Sequence, residues 1–398
     1  MKVIFRWLLT FSVVNEKEEK MKIVIAPDSY KGSLTAKAVA DSIERGIKKI
    51  YEKANTIKIP MADGGEGTVQ SLVDGTEGKI INVKVKGPLL KEVEAFYGIL
   101  GDGKTAVIEM AAASGLLLVT KEERNPLKTT TYGTGQLIKN ALDMGCRNII
   151  IGIGGSSTND GGAGMAAALG IKLLDQRGKN IGFGGECLSK LHTINVNNMD
   201  PRIKECKITV ACDVDNPLCG LNGASHVFGP QKGADEKMIK ILDDNLSNYA
   251  YVIKKDLNIE IKNVPGAGAA GGLGGGLLAF FNAELKSGID IVIETTNLEE
   301  IIKDADLVIT GEGMIDYQTA FGKTPFGVAR VARKYNIPVI AIAGGVGKGS
   351  EKLYDKGFTS IFSIVDRPMQ LEEAIENASI LLEKAIERIM RIFAINNN

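Results

Sequence analysis

The sequence predicts an α/β protein: a parallel-sheet domain built from both ends of the chain, with a second α/β domain inserted between them. Three observations carry this prediction. Short apolar runs alternate with helix-period stripes near both ends, the rhythm of strand–helix–strand units on a parallel sheet. From about Ile81 the texture changes to apolar–polar alternation around glycine turns, which reads as antiparallel hairpins. The chain has 398 residues, 44% of them apolar, enough for two or three packed domains.

The elements follow in order. In residues 1–20, "MKVIFRWLLTFSVV" has a basic start and an apolar stretch too short to span a bilayer, and no small-x-small cleavage site follows. Met21 opens "MKIVIAPD", a better domain start, so residues 1–20 are expected to be a dispensable extension outside the fold; a membrane-surface anchor is the alternative. Lys22 to Ala26 is a short buried strand that breaks at Pro27. Val39, Ile43, Ile47 and Tyr51 recur every four residues, a helical stripe with Thr35 as its N-cap. Thr56 to Pro60 is the next strand, and a helix from near Glu66 closes the unit. After the hairpins, Gln136 to Met144 is helical with Gly145 as C-cap, and Asn148 to Ile153 and Lys207 to Ala211 are strands. Beyond Thr296 the first rhythm returns. Asp306 to Thr310 is a strand, and "GEGMIDYQTAFGK" is a loop. Thr324 to Tyr335 is a helix with Pro325 in its first turn. Ile337 to Ala343 and Thr359 to Val365 are strands around the loop "GGVGKGS". A long helix from Leu371 sets Ile375, Ala378, Leu382 and Ile386 on one face. The expected domains are 21–80 with 296–393, and 81–295.

Composition narrows the function. Lys plus Arg and Asp plus Glu both number 48, and aromatics are 6%, which argues against a nucleic-acid binder with its basic face. Five cysteines, at 146, 187, 206, 212 and 219, contain no C-x-x-C, so neither a zinc site nor a disulfide framework is indicated; reduced thiols in a cytoplasmic protein are the simplest reading. His192 and His226 read as structural or surface histidines.

Polar clusters follow the strands that end at Ala26, Pro60, Ile153, Ala211 and Thr310. Ligands of open α/β sheets bind at such strand ends, and a domain interface is a natural place for the cleft. "DSYKGS", "ADGGEGT", "GGSSTNDGG", "DVDNP", "GEGMIDYQT" and "GKTP" supply carboxylates, hydroxyls, glycine amides and lysines, with few aromatics. Backbone N–H groups and helix N-termini cradle phosphate oxygens, carboxylates hold magnesium, and lysine neutralises a phosphoryl group in transfer. Neither "FGKT" nor "GVGKGS" is a Walker motif: Tyr317 stands where the first needs glycine, and Gly349 where the second needs Ser or Thr. "GAGAAG", Gly266 to Gly271, fits G-x-G-x-x-G, but the segment before it is short and charged; close packing of a glycine-rich helix start is the favoured reading over dinucleotide binding. Each cluster also has a plain structural reading, as helix caps or solvated loop charges. Their coincidence at five strand ends exceeds what capping requires.

These residues assign roles. Asp213 and Asp316 take direct part in transfer, Lys323 holds phosphate oxygens just before a helix N-terminus, and Lys31 meets a substrate carboxylate or the transferred phosphate. Asp28, Ser29, Ser33, Gly64, Gly65, Ser156, Ser157, Thr158, Asn216, Gln318 and Thr324 bind substrate or phosphate; Asp63, Glu66, Asp160 and Glu312 are metal candidates.

In "APDSYKGSL", "ADGGEGT", "GIGGSSTNDGGAGM", "DVDNPLCG…GASHVFGPQKGA", "GAGAAGGLGGG" and "ADLVITGEGMIDYQTAFGKTPFGVA", in this order, the chain resembles the type-2 family of glycerate kinases from about Met21 to Phe393. The resemblance implies a flavodoxin-like domain with an inserted domain of restriction-endonuclease-like topology. It implies ATP and Mg2+ as cofactors and phosphorylation of D-glycerate, usually at the 2-hydroxyl, in the cytoplasm, with no nucleic-acid or membrane partner. Phosphorylation at the 3-hydroxyl, a nicotinamide-dependent oxidoreductase using "GAGAAG", and a non-catalytic binding protein remain alternatives, and homo-oligomerisation stays open.

Overall fold

The computed structural model describes residues 21–395, so the expectation for residues 1–20 lies outside the described residues. Among the described residues thirteen strands run in chain order: β1 (Lys22–Ile25), β2 (Asn55–Lys58), β3 (Lys79–Lys86), β4 (Glu92–Ile99), β5 (Thr105–Glu109), β6 (Asn148–Gly152), β7 (Lys172–Leu174), β8 (Thr193–Asn195), β9 (Lys207–Ala211), β10 (Glu284–Lys286), β11 (Leu307–Ile315), β12 (Val339–Val346) and β13 (Ser360–Ser363). The fold is mixed α/β with parallel sheets. It divides into two compact units, one made of the segments up to Asp63 and from Val292, the other of Gly64–Ile291.

In the first unit an all-parallel sheet has the order β13-β12-β11-β1-β2. Counted within the unit, the order is 2-1-3-4-5, and its direction reverses between β1 and β11. Thr35 caps helix Ala36–Lys48 by accepting from the Ala38 N–H at 3.2 Å, as its sequence position predicts. The Val39, Ile43 and Ile47 stripe is buried with Leu382 and Ile386 of helix Ala378–Ile395. Gly46 permits that contact: a Cβ there would stand 2.6 Å from the Glu383 carbonyl oxygen.

Three local expectations change here. β11 does not stop at Thr310 but continues to Ile315, because β12 pairs with it through Ile315↔Val346. Gly311 is required by that pairing; a Cβ there would lie 2.0 Å from the Ile342 carbonyl oxygen. β12 likewise takes in the start of "GGVGKGS". The long final helix is two, Leu371–Glu376 and Ala378–Ile395, split where the Asn377 side chain donates to the Glu373 carbonyl at 2.9 Å. Ile375 therefore leaves the buried face and is exposed.

The second unit carries a six-stranded sheet, β10-β9-β6-β5-β4-β3, in which β3, β4 and β5 are antiparallel neighbours and the remaining pairs parallel. The expected hairpin is β3–β4, in register from Lys79↔Ile99 to Lys86↔Glu92. β7 and β8 form a separate antiparallel pair. Helix Tyr132–Asp143 starts earlier than expected from Gln136; its C-cap is Met144, and Gly145, at φ +88°, follows it and turns the chain away. The unit begins at Gly64 rather than after residue 80. Helix Thr68–Gly75 belongs to it: Glu109 at the end of β5 accepts from the Val69 N–H at 2.9 Å, and Val73 fills the space that a side chain on Gly98 of β4 would need.

The dinucleotide reading of Gly266–Gly271 fails. Among the described residues no strand runs into it. Its glycines face protein: a Cβ on Gly271 would lie 2.0 Å from the Thr158 carbonyl oxygen, and one on Gly268 2.2 Å from that of Pro217. A pyrophosphate has no approach to backbone already occupied by backbone. All five cysteines are free thiols. Among the described residues no helix is long and apolar enough to cross a membrane.

Candidate active site

The first unit opens a cavity of about 610 Å3 at the carboxyl ends of β1, β11 and β12. It lies at the reversal between β1 and β11, where open parallel sheets place their ligands. Its polar side is Asp28, Ser29, Lys31, Asp63, Glu312 and Lys323.

Asp28 is held by backbone and side chain alike. Its N–H donates to the Gly311 carbonyl at 2.8 Å, while its carboxylate accepts from the Ser29 N–H at 2.6 Å and from the Thr324 hydroxyl at 2.8 Å. Thr324 opens helix Thr324–Lys334, so this bond brings a helix N-terminus to the carboxylate. Burial first, and the neighbouring Asp63 second, raise the proton affinity of Asp28 above the ordinary aspartate range. Glu312, on the extended part of β11, accepts from the Thr319 hydroxyl at 2.7 Å and pairs with the Lys323 ammonium at 3.3 Å; burial raises its proton affinity too. Lys323 occupies the N-cap position of the same helix without its side chain capping it. The ammonium thus stays at the cavity, beside the positive end of the helix.

Other expected residues of this unit do different work. Asp316 caps the turn Tyr317–Ala320, accepting from the Gln318 N–H at 2.8 Å, and it does not line the cavity. Gln318 is exposed and donates to the Tyr317 hydroxyl at 3.3 Å. Ser33 donates to the Ile375 carbonyl at 2.8 Å and so positions helix Leu371–Glu376. Lys31 is exposed at the rim.

The remaining expected residues gather in the second unit, at the ends of β6 and β9. Gly64, at φ +90°, packs so closely that a Cβ would stand 2.8 Å from the Gly288 Cα and 2.9 Å from the Ala211 Cβ, with the Asp213 carboxylate 3.8 Å away. Asp213 is exposed and accepts from the Gly288 N–H at 3.0 Å. Gly65 follows beside Gly154, and the exposed Glu66 raises the proton affinity of Glu109, chiefly a product of burial. Ser157 donates to the Ser114 carbonyl at 3.0 Å, and Ser156 is buried beside it. Asn216 donates to the Asn222 carbonyl at 2.8 Å.

Asp160 serves its own loop. It is buried, and five donors meet its carboxylate: the Thr130 hydroxyl, the Thr131 N–H and hydroxyl and the Gly164 N–H on Oδ2, and the Gly162 N–H on Oδ1, all within 2.9–3.2 Å. A carboxylate so engaged organises its loop. Sequence reasoning missed Lys232, whose buried ammonium donates to the Thr158 carbonyl at 2.7 Å. Burial lowers its pKa to about 7, against the opposing pull of Asp160. The lysine in "GPQKGA" was its only signal.

Among the described residues no three His, Cys, Asp or Glu side chains group to hold a metal. Magnesium needs fewer, since it keeps several waters and takes one or two carboxylates together with substrate phosphates. Asp63, close enough to Asp28 for their charges to repel, fits that requirement. Glu312 is engaged by Lys323 and Thr319, and Glu66 belongs to the second unit.

A sequence profile of the glycerate kinase family matches residues 23–394. The chain belongs to the glycerate kinase family. A glycerate 2-kinase of Escherichia coli (strain K12) is 56% identical over 94% of this chain and 98% of its own length. A glycerate kinase of Halalkalibacterium halodurans is 55% identical over 94% of this chain and 99% of its own. The solved structure of a provisionally named glycerate kinase 2 from Salmonella typhimurium LT2 matches with a TM-score of 0.88 at 51% identity, covering 95% of this chain and 99% of that one. In this glycerate kinase family member, which has no Walker motif, the first unit sets the Lys323 ammonium at the N-terminus of helix Thr324–Lys334, two positive features in one place.

Proposed function

We propose that the chain transfers the terminal phosphoryl group of ATP to the 2-hydroxyl of D-glycerate, giving ADP and 2-phosphoglycerate. The observation that carries this reading is the meeting of Asp28, Asp63 and Lys323 at the start of a helix, in one cavity at the sheet's switch point. The names of the relatives supply the substrate, and the Escherichia coli protein's name the position. The 2-1-3-4-5 strand order supports a flavodoxin-like description of the first unit; the restriction-endonuclease-like description of the second rests on the resemblance. Free thiols and an ATP substrate favour the cytoplasm.

In the transfer the glycerate hydroxyl oxygen bonds to the terminal phosphorus, the bond from that phosphorus to the ADP oxygen breaks, and the hydroxyl proton passes to the Asp28 carboxylate. The bonds from Ser29 and Thr324 fix that carboxylate's orientation, and its raised proton affinity suits it to accept a proton. Lys323 and the helix N-terminus stabilise the charge on the moving group. Asp63 would hold magnesium, which when bound neutralises phosphate charge. Lys31 at the rim meets the glycerate carboxylate or the transferred phosphate. In the second unit the Gly64–Gly65 and Ser156–Thr158 loops, with Asn216, keep the substrate- or phosphate-binding role expected of them, and Asp213 its expected direct part in transfer.

Phosphorus NMR of a reaction with MgATP and D-glycerate tests the reading. The expected product signal is 2-phosphoglycerate; 3-phosphoglycerate would overturn the position, and ATP left intact would overturn the reaction.

A further inference from the structure

Part of the first unit's cavity has no use for glycerate. Besides the acids and lysines, its lining includes Met314, Val365, Met369, Leu371, Ala374 and Ile375. D-glycerate is a three-carbon acid with oxygen on every carbon, and it offers such a wall nothing to cover. The volume, about 610 Å3, also belongs to a larger ligand, since pockets of about 300–1,000 Å3 take drug-sized molecules. The wall is open to water: Leu371 is 69% exposed, Met314 53% and Ile375 39%. Helix Leu371–Glu376 buries none of its own residues, yet it is fixed in place by the Ser33 bond to the Ile375 carbonyl and by an ion pair between Arg367 and Glu373. An apolar surface held ready but uncovered is what a ligand site requires.

We propose that this wall seats the base of the nucleotide, an adenine ring lying against Met314, Met369, Leu371 and Ile375 with its phosphates directed to the Lys323 end of the same cavity. The inference rests on the proposed kinase reading and extends it. Thioethers such as those of Met314 and Met369 make favourable contacts with aromatic rings. Gly313, Gly344 and Gly345 border the cavity without side chains; a Cβ on Gly345 would stand 2.8 Å from the Met314 Cε, so glycine lets that side chain lie along the sheet. Gln370, also on the wall, does not cap its helix, which leaves its amide to donate to and accept from a purine edge.

The test uses Leu371→Ala and Ile375→Ala in the full chain, with calorimetric binding of MgATP and of magnesium tripolyphosphate, and KM values for ATP and D-glycerate. Each variant is expected to weaken ATP binding and raise its KM about tenfold, the scale of one apolar side chain uncovered. Tripolyphosphate binding and the KM for D-glycerate should stay unchanged. Unchanged ATP affinity in both variants, a rise in the glycerate KM instead, or an equal loss for tripolyphosphate would each overturn the base site while leaving the kinase reading intact. A wild-type chain that binds no ATP would overturn both.

Discussion

Asp28 is a carboxylate kept where its charge is disfavoured, and that has a measurable sign. Its proton affinity in the folded chain lies above that of the unfolded chain, so between the two values the native state binds more protons. Stability then falls as pH rises through that window, and the whole penalty is present above it. Asp28→Asn is expected to raise the melting temperature of the ligand-free protein at neutral pH, with the advantage shrinking as pH is lowered through the window. Calorimetry across pH checks this, and a variant less stable than wild type at neutral pH would mean that the bonds from Ser29 and Thr324 outweigh the desolvation. The same change should lower turnover by about 10²–10⁴, the usual loss for a general base. Lys323→Ala should lower turnover on the order of 10²-fold, because a contact that strengthens in the transition state is removed. Its melting temperature should move little, since partly exposed ion pairs contribute weakly. Rate and melting measured on one preparation separate the two effects. An early-melting variant would make Lys323 structural.

Among the elements, strand β11 shows how pairing overrides local composition. "GEGMI" has the glycines and charges of a loop, but β12 offers a partner through Val346, and Gly311 removes a side chain that would block it. That extension is what carries Glu312 into the cavity. The glycine-rich helix Ala269–Phe281 shows the converse, a phosphate-like signature spent on packing. Gly276→Ala puts a methyl group 2.3 Å from the Gly161 carbonyl oxygen in its present position. Overpacking of this kind costs about 1–3 kcal/mol, expected as a lower urea midpoint with an unchanged slope. A midpoint equal to wild type would show that the helix can shift at no cost.

At the scale of the whole molecule, the second unit is a continuous segment with its own core, and its ends are adjacent, as Gly64 packs on Gly288. Residues 64–291 are expected to fold alone with a single cooperative thermal transition. A fragment starting at residue 81, where the texture of the sequence changes, is expected to lose it. That fragment lacks Val69, Leu72 and Val73, which helix Thr68–Gly75 packs on β3, β4 and β5, and it leaves Glu109 buried without the Val69 N–H. At about 1.5–3 kcal/mol for each buried aliphatic side chain, the loss rivals the roughly 5–15 kcal/mol that holds a domain folded. Equal melting of the two fragments would place the boundary after residue 80.

The sequence by itself determined whatever short-range chemistry encodes. The Thr35 cap, the Val39–Ile43–Ile47 stripe, the Gly145 stop, the β3–β4 hairpin and the polar clusters after the strands are all legible from residues near one another in the chain. The family is legible too, because its motifs are local. What tertiary structure alone decided is the use of each polar group, since that depends on donors and neighbours brought from far away. Asp28 and Asp160 both stand in loops rich in glycine and hydroxyls. Only the fold shows that Asp160 is buried and bonded to Thr130, Thr131, Gly162 and Gly164, whereas Asp28 faces a cavity beside Asp63. The apolar wall escaped for the same reason: Ile375 continues the stripe of a helix in sequence, and leaves it because the chain breaks at Asn377 and Ser33, more than three hundred residues away, holds the preceding turn over the cavity.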